Sequence, residues 1–239
     1  MEEKISGIVL GGTAFGENDK ILNIFTLEKG VVSAKIKGVK KAGAKLKFAA
    51  EPFCFAEFVF SKTGDKRTVI GASLIDSFYP VREDLKKYFA AGTVLEFIKH
   101  FYRESMVSPD DFLLSVNALG DIAYGDDPLV PLVEFLIAAL KDAGYALKLD
   151  GCFKCGKDID GRTFFDYRSG AFYGEDCFDA SGREIHNETF KALCRAENGE
   201  LLNGDEFAIK ALKLLDYYLK NRAEEKLNSL EQLIQTFNK

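Results

Sequence analysis

The chain has 239 residues, 47% of them hydrophobic, which is enough for one large or two small domains with buried cores. Its apolar runs are shorter than the roughly 18 to 20 residues that a membrane-spanning helix needs, and its start lacks the basic and apolar stretches of a signal peptide. We therefore expect a cytoplasmic protein with no membrane partner. The two histidines, His100 and His186, leave little material for histidine-based catalysis.

The net charge of −5 is unevenly distributed along the chain. Residues 1–80 carry 12 basic and 9 acidic side chains, a balance of +3, whereas the remaining 159 residues carry 20 and 28, a balance of −8. This asymmetry predicts a basic module that meets phosphates and an acidic module with another role.

Five short apolar and β-branched runs separated by turn signals fill the first third of the chain, which favours an all-β unit. The predicted strands are residues 5–10, 21–26, 31–39, 53–60 and 68–78. Five strands in about 75 residues fit the size of an OB-type barrel.

Past Pro80 the hydrophobic period becomes that of helices, beginning with Val94, Ile98 and Phe101 on one helix face. Further helices are predicted at residues 109–123, 129–143, 188–196, 206–220 and 223–237, the last with an apolar stripe interpreted as facing the core. Residues 149–182 lack this period and predict a small insert of turns and short strands. The predicted fold class is α+β: an OB-type β-barrel domain at 1–80, then an all-α domain at 81–239 that carries a cysteine-containing, zinc-ribbon-like insert at 149–182.

Six lysines lie within thirteen residues that contain no acidic side chain: Lys35, Lys37, Lys40, Lys41, Lys45 and Lys47. Spread over a strand end and a glycine-bearing loop, they suit contacts to a sugar-phosphate backbone without base readout. The alternative is a solvated loop that keeps the protein soluble. A barrel around the loop favours nucleic-acid binding.

Cys152 and Cys155 form a CxxC knuckle, and Cys177 follows after 21 residues at a distance suited to tetrahedral zinc. A fourth cysteine is missing, so Asp176, Asp179 and His186 are candidates for the last ligand. Any metal here is expected to be a structural zinc ion. The alternative is a degenerated site held by aromatic packing. Cys54 and Cys194 are interpreted as buried thiols.

The sequence offers no convincing catalytic residues, so we do not expect an enzyme. It has no GxxxxGK[ST] loop for a nucleotide cofactor and no plausible Ser/His/Asp set. Helix-start and solvation roles explain the carboxylate pairs Asp110-Asp111, Asp126-Asp127 and Glu224-Glu225.

Several segments of the first third stand in an order and at spacings that resemble one family. They are Gly7-Ile8-Val9-Leu10, residues 15–21 (Phe-Gly-Glu-Asn-Asp-Lys-Ile), Phe25-Thr26 and Lys29-Gly30. The chain resembles the RecO family. Residues 38–46 resemble that family's basic loop, although Ala42 and Ala44 stand where proline and serine are commoner.

In the turn at residues 15–21, Glu17, Asn18 and Asp19 suit hydrogen bonds to nearby backbone, and Lys20 is expected to face outward as a further DNA contact. Five barrel aromatics offer rings for stacking bases or, as the alternative, for filling the core: Phe15, Phe53, Phe55, Phe58 and Phe60. In zinc-bearing RecO proteins a second CxxC closes the metal site, but the matching position here is Ala180.

The resemblance implies a recombination mediator that binds single- and double-stranded DNA, anneals complementary strands and helps load RecA on gaps coated by single-strand-binding protein. Its implied partners are RecR and the C-terminal tail of the single-strand-binding protein, and its implied place is the nucleoid. Lys86, Lys87 and Arg103 are candidates for the tail's contact surface, with a solvated helix face as the alternative. The rival functions are a protein-interaction scaffold and an RNA-binding OB protein.

Overall fold

The first five strands of the computed structural model close into a barrel. The structure describes residues 2–64, 66–104, 108–178, 182–204 and 206–237. The barrel strands are β1 (Glu2–Phe15), β2 (Asp19–Thr26), β3 (Gly30–Ile36), β4 (Phe55–Thr63) and β5 (Lys66–Asp76). They follow the order β1-β2-β3-β5-β4, so the predicted OB-type barrel is confirmed, with strand limits that differ by a few residues.

Barrel closure depends on β1, which pairs with both β2 and β4, and on a short parallel contact between β3 and β5 at Lys35–Thr68 and Ile36–Val69. A side chain at Gly7 would lie 2.7 Å from Ile24 Cγ2, so only glycine lets β1 and β2 approach this closely. Alternate residues point inward and fill the barrel core, among them Leu22, Ile24, Val32, Ile36, Phe58 and Phe60.

Helices follow the barrel, as predicted: α1 (Leu85–Phe101), α2 (Pro109–Tyr124), α3 (Leu129–Asp142), α4 (Asn187–Glu197), α5 (Ala208–Tyr218) and α6 (Asn228–Thr236). The single helix predicted at 223–237 is wrong in its first part. Residues 219–223 form a π-helical turn, and Glu224 adopts a left-handed conformation (φ 57°) that ends it. The core-facing interpretation of the stripe is confirmed, because Leu227 and Leu230 are buried.

The barrel and the helices share a second hydrophobic core, which fixes their contact. Outward side chains of β1 and β2 join it. The Phe25 ring centroid lies 5.5 Å from that of Tyr102 after α1 and 5.4 Å from that of Phe112 in α2. Because Phe25 is fully buried, the barrel exterior is part of the helical domain's packing.

The cysteine-bearing insert forms a three-stranded sheet in the order β7-β6-β8, with β6 at Thr163–Asp166, β7 at Ala171–Gly174 and β8 at Arg183–Ile185. Phe165 and Phe172 lie 4.8 Å apart between their ring centroids, and Phe172 packs at the same distance on Phe190 of α4. The sheet is therefore attached to the helices by aromatic side chains.

Two of the three carboxylate pairs serve helix starts, as predicted, whereas Glu224-Glu225 does not begin a helix. Asp111 and Ser108 form a capping box at the start of α2, and Asp127 accepts a hydrogen bond from Leu129 N at the start of α3. Glu225 contacts His100 Nδ1 at the end of α1. Across the described ranges, no helix is both long and apolar enough to span a bilayer.

Candidate nucleic-acid surface and cysteine cluster

The loop between β3 and β4, residues 37–47, is held to the barrel by its few apolar side chains. Val39 is buried, and Leu46 packs against the barrel core, as does Phe48 directly after the loop. Of the six predicted lysines, the five that lie in this loop are exposed to solvent: Lys37, Lys40, Lys41, Lys45 and Lys47. We call residues 37–47 the lysine loop. Its apolar side covers the barrel while its cations form an open basic surface.

The turn between β1 and β2 fixes the start of the lysine loop. Asp19 Oδ1 accepts a 2.8 Å hydrogen bond from Gly38 N, and the Asn18 carbonyl accepts a 3.0 Å bond from Lys40 N. Asp19 Oδ2 lies 2.8 Å from Lys35 Nζ. The Lys35 ammonium and then the Gly38 N–H hold the pKa of Asp19 below its usual value. The segment that resembles RecO is therefore a positioning element for the lysines.

Phe15 is the one member of the five predicted aromatics that lies on the surface, at 49% exposure. Lys35 Nζ sits 4.5 Å from its ring centroid, which places a cation beside an accessible ring. The other four pack inside: Phe53, Phe58 and Phe60 are buried, and Phe55 is half-buried against Phe112.

Lys20 does not face outward as predicted. Its ammonium points back to the barrel, 3.4 Å from the Ala50 carbonyl oxygen and 3.8 Å from Glu51 Oε1, and its side chain is 28% exposed. The inward direction follows from these two acceptors beside the short helix at Phe48–Ala50. Its contact with DNA stays a prediction, and a phosphate there would compete with Glu51.

The predicted cysteine cluster is assembled in the insert. The Sγ atoms of Cys152, Cys155 and Cys177 all lie within 4.8 Å of one another. The knuckle closes through a 2.7 Å hydrogen bond from Gly156 N to the Cys152 carbonyl, with Gly156 at φ 71°. A residue with a side chain would be strained there, so Gly156 helps bring the two thiols together.

Backbone groups prepare Cys152 to act as a thiolate. Burial raises its pKa, but N–H donors from Gly174, Cys155 and Lys154 outweigh burial and bring the pKa to about 7. Hydrogen bonds with Cys155 and Cys152 raise the pKa of Cys177 to about 11. The lowered pKa of Cys152 favours its thiolate, which is the form of cysteine that binds a metal ion.

Three positions of a tetrahedral zinc site fit the cluster. Within the described ranges, no carboxylate or imidazole joins the three thiols as a further ligand. His186, one candidate, accepts a 3.3 Å bond from Glu188 N at the start of α4, and its ring lies 5.1 Å from that of Phe207. Asp176 lines the recess beside the thiols without joining them. The candidate Asp179 and the departure at Ala180 lie outside the described residues.

The other two cysteines lie apart from this cluster. Cys54 is buried among barrel side chains, as predicted, and burial raises its pKa to about 11. Cys194 is half-buried rather than fully buried, and its Sγ lies 3.5 Å from the Leu149 carbonyl oxygen.

A solvated helix face is the wrong interpretation of Lys87, whereas Arg103 is exposed. Lys87 Nζ donates to the carbonyls of Ala123 and Gly125 at 3.0 and 2.8 Å and so caps the end of α2. Arg103 donates to carbonyls at the end of α1. Lys86 is exposed, with Nζ 4.3 Å from the Phe237 ring centroid.

Comparisons with known proteins agree with these features. Residues 1–78 match the family described as "Recombination protein O N terminal", and residues 82–231 match "Recombination protein O C terminal". A protein of Caldicellulosiruptor bescii named DNA repair protein RecO is 30% identical over 190 residues, which are 80% of this chain and 78% of that protein. One of Acetivibrio thermocellus with the same name is 28% identical over 237 residues, 95% of this chain and 94% of that protein. The chain therefore belongs to the RecO family of DNA repair proteins.

Proposed function

We propose that this chain is a recombination mediator that binds single- and double-stranded DNA and anneals complementary strands. The observation that carries the proposal is the lysine loop, whose five exposed ammonium groups are arranged on one hydrogen-bonded loop of an OB-type barrel. Cations on such a loop bind phosphates by releasing counterions, whatever the base sequence. The DNA-binding set comprises Lys20, Lys35, Lys37, Lys40, Lys41, Lys45 and Lys47.

Annealing requires no bond-making residue, because a basic surface that neutralises phosphates lowers the repulsion between two strands. We propose that the chain acts without nucleotide hydrolysis and helps load RecA on gaps coated by single-strand-binding protein. RecR and the tail of the single-strand-binding protein are the proposed protein partners. We place this activity at the nucleoid in the cytoplasm.

We further propose one structural zinc ion on Cys152, Cys155 and Cys177. The supporting observation is the approach of the three thiols. Such an ion would link the loop before β6 to the residues that follow β7. We propose a structural role for it and no catalytic one. The proposed division is a barrel domain at 1–80 and a helical domain at 81–239, with the insert at 149–182.

Strand annealing tests the proposal. Two complementary labelled oligonucleotides should pair faster with the protein than without it, and the rate should fall steeply as salt rises. Parallel binding to dT and rU oligomers separates the rivals. Equal or tighter binding to rU without annealing would favour the RNA-binding alternative, and no binding to either would favour the scaffold.

A further inference from the structure

A cleft between β8 and α5 concentrates positive charge in the otherwise acidic helical domain. On α5, Lys210, Lys213 and Tyr217 recur at helical spacing and so share one face. Arg183 of β8 faces them across the cleft. The cavity has a volume of about 270 Å³, and its charged lining residues are three cations, Arg183, Lys210 and Lys213, and one carboxylate, Glu184.

The cations of this cleft lie on flat rings. The Arg183 guanidinium carbon is 5.7 Å from the Tyr217 ring centroid, and Lys210 Nζ is 4.4 Å from that of Phe207. Within the described ranges, neither Arg183 nor Lys210 has a carboxylate within ion-pair distance. Glu184, which also lines the cleft, is held by Arg162 at 2.9 Å. The exposed lining therefore presents net positive charge.

We infer that this cleft binds a second segment of single-stranded nucleic acid. Arg183 and Lys210 would contact phosphates, and the half-buried Tyr217 ring beside Arg183 would stack a base. An acidic peptide with an apolar anchor fits less well, because such an anchor needs an accessible apolar pocket. The apolar residues at the bottom of the cleft, Phe165 and Leu214, are buried. This inference rests on the proposed DNA binding and adds a place for the second strand.

The position of the cleft suits that role. Its two walls belong to the insert and to α5, which packs against α3, α4 and α6, whereas the lysine loop belongs to the barrel. Two separate basic surfaces on one chain would hold two strands at once. Annealing at one chain would then need both surfaces.

The test uses the full chain and short dT oligomers, with Arg183→Glu/Lys210→Glu as the variant. The matched control is Lys141→Glu/Lys148→Glu, which changes the charge of the helical domain equally at two exposed lysines outside the cleft. Circular dichroism melting checks that both variants fold. Photocrosslinking with thio-substituted dT, mapped by mass spectrometry, locates the bound strands.

We expect two oligomers bound per chain of the wild type and of the control, and one per cleft variant, with crosslinks at β8 and α5 in all but the cleft variant. We also expect the cleft variant to lose annealing, while the control anneals like the wild type. If the cleft variant still binds two oligomers and anneals like the wild type, the inference is wrong. The proposed DNA binding by the lysine loop would be unaffected by that result. Absence of any wild-type DNA binding would instead reject the proposed function. Crosslinking of an Asp-rich peptide in the cleft, with no oligomer there, would also overturn the inference.

Discussion

Asp19 and Gly38 are joined by a 2.8 Å hydrogen bond from the glycine N–H to the aspartate Oδ1, across 19 positions of sequence. The bond connects the β1-β2 turn to the first residues of the lysine loop. The same carboxylate holds Lys35. Asp19 therefore positions the loop and also neutralises Lys35 at the neighbouring end of β3.

Replacing Asp19 separates these two effects. Asp19→Asn keeps an acceptor for Gly38 N and removes the charge that holds Lys35, so we expect a salt slope of single-stranded DNA binding steeper by about 0.7. Asp19→Ala also loses the bond to Gly38, and we expect weaker DNA binding than in the asparagine variant. Anisotropy titrations of both variants measure the difference, and equal affinities would contradict the positioning role.

The pH dependence of the loop follows from the lowered pKa of Asp19. A carboxyl whose pKa is lower in the folded protein contributes stability that is complete above its unfolded value and is lost as the pH falls through the folded pKa. We expect the Gly38 amide resonance to titrate with a midpoint below 3.8, the ordinary value for aspartate. A midpoint at or above 3.8 would show that Lys35 and Gly38 do not stabilise the carboxylate in solution.

Phe25 joins the barrel to the helical domain. Because its ring is fully buried between Tyr102 and Phe112, Phe25→Ala should lower the free energy of unfolding by about 3 to 5 kcal/mol. The matched control is Phe15→Ala, an exposed ring whose loss should cost within about 0.5 kcal/mol. Urea denaturation followed by circular dichroism gives both values, and similar losses would argue against a shared core.

Phe15 has a separate role in binding if its exposed ring stacks a base. Phe15→Ala should then weaken single-stranded DNA binding by about 1 to 3 kcal/mol, the usual value of one stacked base, with little change in duplex binding. Phe15→Tyr keeps the ring and should restore affinity. An alanine variant that binds single strands like the wild type would leave the lysines as the sole contacts.

The cysteine cluster predicts a cation site that depends on particular thiols. Cobalt added to the metal-free protein should produce a sulfur-to-cobalt charge-transfer band, and Cys155→Ser should weaken that band. Cys194→Ser removes a thiol outside the cluster and serves as the control. A band that both variants reduce equally, or none in the wild type, would contradict zinc binding at the cluster.

The strands and most helices could be predicted because their periods depend on local sequence. Buried and exposed residues alternate along β3, and Val94 and Ile98 lie on the buried face of α1. The break before α6 could not be predicted from hydrophobic periodicity, because the apolar stripe that includes Leu227 keeps a helical spacing. The helix is interrupted by the backbone, which forms a π-helical turn and then a left-handed residue, Glu224.

The directions of individual side chains could not be predicted from the sequence, because they depend on contacts between distant parts of the chain. Lys20 turns back to acceptors that lie 30 residues away, and Lys87 reaches carbonyls at the end of another helix. The cleft that contains Arg183 and Lys210 could not be predicted from the sequence, because its two walls come from separate elements that share no motif. The cysteine cluster was predictable, since the CxxC spacing itself fixes two of its three thiols.

The central claim is that the lysine loop binds DNA through phosphates. Its most direct test is an anisotropy titration of single-stranded DNA across salt concentrations with the wild type and with Lys40→Glu/Lys41→Glu/Lys45→Glu. The control variant reverses three exposed lysines of the helical domain: Lys141, Lys148 and Lys226. We predict that the loop variant alone loses tight binding and at least about 2.1 from the salt slope, at about 0.7 for each of three phosphates. Unchanged affinity and slope in a folded loop variant would contradict the claim.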